Sequence, residues 1–502
     1  MLKDLKLTSK HTLIYSLGNI ATKLIGVILI PIYTNEQYLS IADYGVLALL
    51  EASLQILTGV LNLSMSASLS RWYWDAAFKK YQKSIFFTTL AFISIFGGFA
   101  VMCIHLSLPF WSRTLFDSEE YIGLLKLVIM ITGLRLVTNQ TLALLKLQLK
   151  STFYSTIQIV KLAIVLGLTI YGVVVKHDGL NAIWLAALVG EALLLISLIP
   201  YIIKNIELKI KFDILKEMVT YGTPLMLASL ASVLLSVADR YMLSSMSGLE
   251  STAVYSLGNR IANTLKLVIT HSLTTAIGPL NMKKMSDPNR GRFYSKMLTY
   301  SSFIFMLAFV VVSLFTIDLF DVLKISDNYH QAIYIIPIIS FSLLFGLIRT
   351  NVTIGLIIKK KTNIIGSLII ISLLINIGLN LLLIPLFDIY GASISTLLSQ
   401  FFIFFFASRQ AQKVCFFPYE WKKLIGLCIS SIIIVFIGLY VNDFSIIIRI
   451  SLKALLLASF LIILRKIKFF DQIEIDAINK ILKTWKNPKH LSKNIKQFLS
   501  NE

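Results

Sequence analysis

The stretch SIFFTTLAFISIFGGFAVMCIHLSL, residues 84–108, contains no lysine, arginine, aspartate or glutamate. An α-helix needs roughly 20 apolar residues to cross a hydrocarbon layer of about 30 Å, and this stretch is long enough. Three basic residues, Lys79, Lys80 and Lys83, come shortly before it. The sequence therefore predicts a transmembrane helix here that begins beside a basic, water-facing loop.

Apolar runs of similar length follow one another along the 502-residue chain. Hydrophobic residues make up 56% of it, charged residues only 15%, and the mean hydropathy is +0.79, which does not fit a soluble protein. We predict fourteen spans, at residues 11–34, 44–70, 84–108, 121–146, 153–175, 180–203, 215–243, 251–280, 297–320, 329–358, 364–386, 390–411, 424–441 and 445–464. The predicted fold class is therefore an all-α, polytopic membrane protein.

Basic residues collect in alternate breaks between the predicted spans. With the N-terminus inside, the even-numbered breaks and the two termini hold most of the 47 lysines and arginines, and the other face holds Arg113, Lys176 and Lys324. Basic residues in short loops stay cytoplasmic, so both termini are predicted to be cytoplasmic. The net charge of +21 then reflects topology and attraction to an anionic inner leaflet, and no nucleic-acid partner is expected.

The chain divides into two halves at a basic linker. Six predicted spans on each side mean that both halves enter the membrane from the same face, which indicates a parallel repeat related by a pseudo-two-fold axis along the membrane normal. The predicted parts are an N-lobe (1–203), a cytoplasmic linker (204–214), a C-lobe (215–413), two further spans (414–464) and a basic cytoplasmic tail (465–502).

Cations outnumber carboxylates inside the predicted spans. A charge facing lipid near the bilayer centre costs at least about 2.5 kcal/mol, so such groups usually face a bundle interior or a water-filled cavity. We predict a cationic lumen for an anionic substrate group from Lys23, Arg135, Lys161, Lys266 and Arg349. Arg240 and Arg260 lie near predicted span ends, and we expect them to reach the interface or to pair locally, Arg240 with Asp239.

Polar residues recur in several spans at steps of three and four, which places them on single helical faces. The amides predicted to line the lumen and to meet hydroxyl groups are Asn19, Gln55, Asn62, Asn139, Asn259 and Asn263. Small polar residues at such steps also mark ordinary helix packing in membranes, and that alternative stays open. Arg449 and Lys453 are one turn apart in the very apolar last span, and the sequence suggests no role for them.

Two carboxylates, Glu51 and Glu191, are predicted at mid-span. They are candidates for proton or sodium coupling, or else ion-pair partners of the buried cations, and we favour pairing. No metal site and no cofactor are predicted, because the three cysteines and six histidines lack ligand spacing. The chain has no GxxxxGK loop, which excludes direct use of ATP.

Several short motifs occur in a recognisable order. They are KLIGVILIPIYT (residues 23–34), Asp43-Tyr44-Gly45, ASLSRWY (67–73), Tyr221-Gly222-Thr223-Pro224 and Asp239-Arg240-Tyr241. Together they resemble the bacterial oligosaccharide flippases, in the polysaccharide exporter branch of the multidrug/oligosaccharidyl-lipid/polysaccharide exporter (MOP) superfamily, which also contains the MATE drug exporters and the lipid II flippases. The resemblance covers most of the chain.

This resemblance implies a transporter of the bacterial cytoplasmic membrane, not an enzyme. Its implied substrate is an undecaprenyl-pyrophosphate-linked oligosaccharide, such as an O-antigen repeat unit of lipopolysaccharide, moved by alternating access. Membrane lipids and a polysaccharide polymerase or other assembly proteins are the implied partners. In the related lipid II flippases two extra C-terminal helices border a groove for the lipid tail, and spans thirteen and fourteen are similar.

Two other functions remain as alternatives. A MATE-like exporter of drugs or small molecules would have the same architecture, but cationic drugs should prefer buried carboxylates to buried cations. A membrane-embedded polysaccharide polymerase or glycosyltransferase would need reactive groups on a long outer loop, whereas the longest predicted outer break has about a dozen residues, between Pro109 and Glu120. Both alternatives are therefore disfavoured.

Overall fold

The structure is a computed structural model, and it describes residues 26–285, 287–359, 361–472 and 476. Within these residues all regular secondary structure is helical. The α-helices are α1 (Ile30–Tyr33), α2 (Ile41–Leu61), α3 (Met65–Tyr73), α4 (Gln82–Leu106), α5 (Leu108–Phe116), α6 (Ile122–Leu147), α7 (Ser151–Ile170), α8 (Gly179–Asn205), α9 (Phe212–Leu265), α10 (His271–Lys283), α11 (Arg290–Leu323), α12 (Ala332–Val352), α13 (Ile354–Ile358), α14 (Thr362–Val414), α15 (Trp421–Tyr440) and α16 (Ile446–Lys466). The predicted all-α class is confirmed.

Two of these helices, α9 and α14, each contain a reversal of the chain. In α9 the backbone turns at Gly248 (φ 90°, ψ 179°), a conformation that glycine adopts without a steric penalty. The Tyr255 hydroxyl lies 2.6 Å from the Asp239 carboxylate, although 16 residues of straight helix would span about 24 Å. In α14 the turn is at Asp388 (φ 50°, ψ −127°). Each of the two elements is therefore a pair of antiparallel spans.

The described residues contain eleven helices that are long and apolar enough to cross a membrane. The reversals in α9 and α14 raise the number of spans to thirteen, and these match the predicted second to fourteenth spans within a few residues. The predicted first span, 11–34, lies mostly outside the described residues, as do Asn19 and Lys23. The total of fourteen spans therefore stays a prediction.

The structure adds two local features that the hydropathy pattern did not predict. The outer break after α4 contains the short helix α5, which ends at Asp117 in the left-handed conformation. The predicted second span is divided into α2 and α3 by Leu63 and Ser64, which both have positive φ. Hydropathy averaged over a whole span detects neither feature, because a helix of nine residues and a turn of two residues are both much shorter than a span.

The helices α1–α8 form the N-lobe of the structure and α9–α14 form its C-lobe; the predicted domain boundaries themselves stay a prediction. The inner end of a helix is the end that the basic residues predict to be cytoplasmic. The two lobes approach most closely where α2 crosses α9, since a Cβ atom on Gly45 would lie 2.2 Å from the carbonyl oxygen of Leu249. Only glycine fits this crossing without a backbone shift.

Further contacts join the lobes at their outer ends. Asn328 donates a hydrogen bond from Nδ2 to the Glu36 carboxylate at 2.6 Å, and the hydroxyl of Ser326 donates to the same oxygen. The rings of Tyr44 and Tyr329 meet edge to face with centroids 5.7 Å apart. These contacts hold the two lobes together at their outer ends.

The last two helices, α15 and α16, pack on the C-lobe through α11. Their shared core contains Phe305 and Phe309 of α11, Leu427 of α15 and Phe460 of α16, all buried. At the inner end the chain turns at Lys468 and brings Phe469 back against α11. These helices therefore lie outside the interface between the lobes.

Candidate functional site

The N-lobe encloses a cavity of about 630 Å³, which we call the N-lobe cavity. Helices α2, α6, α7 and α8 form its wall, and Arg260 of α9 closes it from the C-lobe side. Its polar lining residues are Glu51, Gln55, Thr58, Arg135, Asn139, Gln158, Lys161, Thr169, Glu191 and Arg260. The cavity therefore places charged and amide groups in the interior of the bundle.

Glu191 is the centre of a three-way charged contact on one wall of the N-lobe cavity. Its side chain is only 2% exposed, and it is paired with Lys161 Nζ and, at 3.3 Å, with Arg135 Nε. The hydroxyl of Thr138 donates to its second oxygen at 2.7 Å. Because two cations share one carboxylate, this group of side chains keeps a net charge of +1.

The approach of Lys161 to Glu191 depends on the neighbouring Gly190. A Cβ atom at Gly190 would lie 2.2 Å from a methyl carbon of Val165, so α7 and α8 approach each other only because that position has no side chain. Arg135 is less deeply buried, with a side chain 34% exposed, and in the described residues it makes no hydrogen bond through its terminal nitrogens. Those nitrogens are available to a ligand in the cavity.

Arg260 connects the two lobes through an ion pair with Glu51. Its Nη2 donates to the Glu51 carboxylate at 2.6 Å and its Nη1 to the carbonyl oxygen of Gly26 at 3.3 Å. The guanidinium also lies over the rings of Tyr33 and Tyr44, at 5.8 and 5.5 Å. All three helices of this contact, α1, α2 and α9, meet at this one side chain.

The prediction that Arg260 lies near a span end was wrong. The second span of α9 begins directly after Gly248, so Arg260 is about 18 Å further along the helix axis. That distance is more than half of a hydrocarbon thickness of about 30 Å. The predicted span start at residue 251 lies close to this turn, so the error was in treating a residue nine positions inside the span as near its end.

A second cavity of about 270 Å³, the central cavity, adjoins the first at Arg260. It is lined by Val27, Arg240, Arg260, Asn263, Thr264, Lys266 and Leu267. Lys266 begins a π-helical segment, Lys266–Thr270, and such segments are frequent at functional sites. Three cations line this cavity, and none of its described lining residues is a carboxylate.

The predicted pairing of Arg240 with Asp239 was also wrong. Consecutive residues of an α-helix point about 100° apart, and here Asp239 faces the C-lobe interior while Arg240 faces the central cavity. The Nε atom of Arg240 is buried and has no hydrogen-bond partner among the described residues. Because its side chain lines the central cavity and forms no ion pair within the described residues, Arg240 is a cation that a ligand can reach.

Asp239, for which the sequence predicted only a pairing with Arg240, forms a site with other partners. Its carboxylate is 3% exposed and accepts hydrogen bonds from the hydroxyls of Tyr255 and Thr396, both at 2.6 Å, and from Asn380 Nδ2 at 2.7 Å. All three donors are neutral, and no ion pair to Asp239 occurs within the described residues. The usable signal was Asn376 and Asn380, two amides one turn apart in an otherwise apolar span.

The remaining predicted residues lie in different places. Gln55 and Asn139 line the N-lobe cavity, and Asn263 lines the central cavity and donates to the Asn259 carbonyl oxygen at 2.8 Å. Asn62 lines neither cavity and accepts from Gln140 at 2.6 Å. Arg349 of α12 is half-buried outside both linings, and its Nε has no partner in the described part of the chain.

Arg449 and Lys453, which had no predicted role, join α16 to α11. Lys453 is fully buried and donates from Nζ to Asp318 at 2.6 Å; Arg449 donates from Nε to the other Asp318 oxygen at 2.8 Å. Arg449 also pairs with Asp321. The sequence could not indicate this network, because its partners are about 130 residues apart in the chain.

This fold has known counterparts among transporters of the MOP superfamily. A lipid II flippase, MurJ, in its inward closed conformation, superimposes with a TM-score of 0.72 and 16% identity, over 89% of this chain and 98% of that one. An inward-facing MATE multidrug transporter gives 0.63 and 14%, over 80% and 94%. A MOP superfamily transporter from Pyrococcus furiosus gives 0.58 and 13%, over 81% and 96%. The fold is therefore that of the MOP flippases and transporters.

The sequence places the chain in a family within this class. Residues 9–285, more than half of the chain, match the polysaccharide biosynthesis protein family. The chain therefore belongs to the polysaccharide biosynthesis protein family. No curated protein sequence is significantly similar to it.

Proposed function

We propose that this protein is a flippase that moves a lipid-linked oligosaccharide with a pyrophosphate linkage, such as an undecaprenyl-pyrophosphate O-antigen repeat unit, out across the bacterial cytoplasmic membrane. The observation that carries the proposal is the charge of the two adjoining cavities. Together the two linings contain five cations, Arg135, Lys161, Arg240, Arg260 and Lys266, and only two carboxylates, Glu51 and Glu191, so positive charge is in excess. Such a lining suits an anionic headgroup.

The cost of moving the headgroup through lipid explains why cations are needed. A pyrophosphate diester carries about two negative charges, and burying an unpaired charge in an apolar medium costs many kcal/mol. In this proposal Arg240 and Lys266 contact the pyrophosphate in the central cavity. Gln55, Asn139 and Asn263 then offer hydrogen bonds to sugar hydroxyls. Lys23 and Arg349 remain predicted contributors to the same cationic path.

The membrane potential supplies part of the driving force. Moving two negative charges outward from a negative interior is favoured by about 4 to 5 kcal/mol per 100 mV. Of the two carboxylates predicted to couple ions, Glu51 and Glu191, each is held by a cation, which favours a structural role. Asp239 has only neutral partners, so we place proton or sodium coupling there.

Removing two cations of the central cavity tests the proposal. In a double variant, Arg240→Gln with Lys266→Gln, we expect lipid-linked repeat units to accumulate on the inner face and surface polysaccharide to be lost, while the membrane content of the protein is unchanged. Lys150→Gln, in an exposed inner-end lysine outside both cavities, is the control and should behave as wild type. Wild-type export by the double variant would refute the assignment of these two residues.

The charge of the cavities also decides between this function and drug export. A MATE-like exporter of cationic drugs would meet repulsion from Arg240 and Lys266 in the central cavity. A negatively charged substrate would meet attraction from the same groups. We therefore expect an anionic lipid phosphate to compete with the lipid-linked oligosaccharide for binding to the purified protein. A lipophilic cation should not compete.

A further inference from the structure

A third cavity lies away from the two lobes, between α15 and α16 at their inner ends. It has a volume of about 310 Å³ and is open at the surface of the protein, where Ile429 and Ile433 are exposed. We call it the C-terminal groove, and it is lined by Lys422, Lys423, Gly426, Ile429, Ser430, Ile433, Ile463 and Ile467. We propose that this groove binds an anionic phospholipid of the inner leaflet, with its phosphate at Lys422 and an acyl chain along the isoleucines.

The apolar part of the groove has the form of an acyl-chain site. Ile429 and Ile433 are one turn apart on α15 and are 54% and 50% exposed, and Ile467 faces them from the end of α16 with 45% exposure. The space between the helices depends on Gly426, because a Cβ atom there would lie 3.0 Å from the terminal carbon of Ile467. A larger residue at position 426 would therefore fill the groove.

The two lysines at the inner end of the groove have different environments. Lys423 is held by Asp471 at 2.6 Å and by Glu420 at 3.2 Å, so its charge is already balanced. Lys422 is exposed and makes no hydrogen bond or ion pair within the described residues. Arg465, Lys466 and Lys468 are also exposed at the end of α16. The rim therefore keeps an unbalanced positive charge beside an apolar groove.

A basic pocket between helices at the cytoplasmic side of a membrane matches the chemistry of an anionic lipid headgroup. The groove shares no lining residue with the N-lobe cavity or the central cavity, and α15 and α16 pack on α11 rather than at the interface between the lobes. A resident membrane lipid needs no path to those cavities. For this reason we assign the groove to a phospholipid and not to the tail of the transported lipid, which the resemblance to the lipid II flippases had implied for a groove at these two helices.

Native mass spectrometry of the full-length protein in detergent, titrated with phosphatidylglycerol, tests the assignment. For Lys422→Gln we expect about fivefold weaker binding of the tightest phosphatidylglycerol, the effect of one basic residue near a lipid surface. Gly426→Leu should remove the same lipid by filling the groove. Lys150→Gln, at an exposed lysine of the N-lobe, should leave it bound.

Three results would overturn the proposal. One is unchanged phosphatidylglycerol binding in Lys422→Gln, a surface substitution that should leave the fold intact. Another is equal retention of zwitterionic phosphatidylethanolamine by the wild-type protein, which would mean that charge has no role. The third is preferential retention of undecaprenyl phosphate, which would assign the groove to the transported lipid. Lipid retention is measured without transport, so none of these results would refute the proposed flippase activity.

Discussion

The buried charges that hold α16 to α11 permit a quantitative prediction about stability. Asp318 is the only carboxylate bonded to Lys453 within the described residues, and the Lys453 side chain is fully buried. In Asp318→Asn, Lys453 loses its counter-charge while Arg449 keeps Asp321. Removing one partner of a buried pair typically costs about 3 to 5 kcal/mol, because the remaining charge is left uncompensated. We expect the free energy of unfolding of Asp318→Asn to fall by an amount in this range.

A double-mutant cycle separates this effect from general loss of packing. Lys453→Met removes the buried cation and leaves Asp318 paired with Arg449, so its cost should be smaller than that of Asp318→Asn. The cost of the double variant should be smaller than the sum of the two single costs, and the difference, the coupling energy, should be about 1 to 3 kcal/mol. The control is Asp443→Asn, because Asp443 is an exposed outer carboxylate that forms no ion pair within the described residues. This substitution should leave the free energy of unfolding nearly unchanged.

The assay is reversible unfolding of the purified protein in mixed micelles with increasing denaturing detergent, followed by tryptophan fluorescence. A cost below about 1 kcal/mol for Asp318→Asn, together with additive effects in the cycle, would show that the four side chains do not act as a buried network. A loss of the same size in Asp443→Asn would show that any outer carboxylate matters equally. Either result refutes the reasoning from burial.

Other predictions concern the lobe contact, the coupling carboxylate and pH. Gly45→Val should lower the free energy of unfolding by about 1 to 3 kcal/mol in the same assay, because the valine side chain would meet the Leu249 carbonyl oxygen. Gly123→Val should cost less, because no atom lies within 4 Å of a Cβ atom at that position. Asp239→Asn should abolish the dependence of export on pH or sodium in membrane vesicles, whereas Glu51→Gln should retain it. Hydrogen bonds from Lys296 and Lys423 lower the pKa of Asp471 to about 2, so the stabilising contact is complete above pH 4 and is lost as the pH falls toward 2. The protection factors of the Phe469 and Phe470 amides against hydrogen exchange, corrected for the intrinsic rate at each pH, should therefore fall between pH 4 and pH 2 in the wild type and be low throughout in Asp471→Asn.

Hydropathy and charge distribution predicted the membrane spans well, because each helix must satisfy its backbone groups within an apolar segment of fixed length. Spans two to fourteen were placed within a few residues. The expectation that Arg260 lies near a span end was wrong for another reason, because even from the predicted start at residue 251 the helix carries Arg260 about 13 Å along its axis. Depth in the membrane depends on where a helix begins, and a shift of a few residues there changes the predicted environment of a charge.

The choice of partners for buried charges was the least predictable feature. Glu191 lies 30 residues from Lys161 and 56 from Arg135, and Asp239 bonds to groups up to 157 residues away. Single-sequence periodicity indicates which face of a helix is polar but not which helices face each other. The residue types in the cavities could therefore be predicted, whereas the division into paired and accessible cations required the three-dimensional arrangement.

The sharing of Glu191 between two cations has a consequence for the transport cycle. A carrier that has delivered its cargo must reset without it, and bare cations facing one another in an emptied bundle would repel and hinder that step. Glu191 supplies one negative charge between Lys161 and Arg135, so the vacant protein keeps a charge of +1 rather than +2 at this wall. Replacing it with glutamine should then slow the return of the unloaded carrier more than the binding of the next cargo.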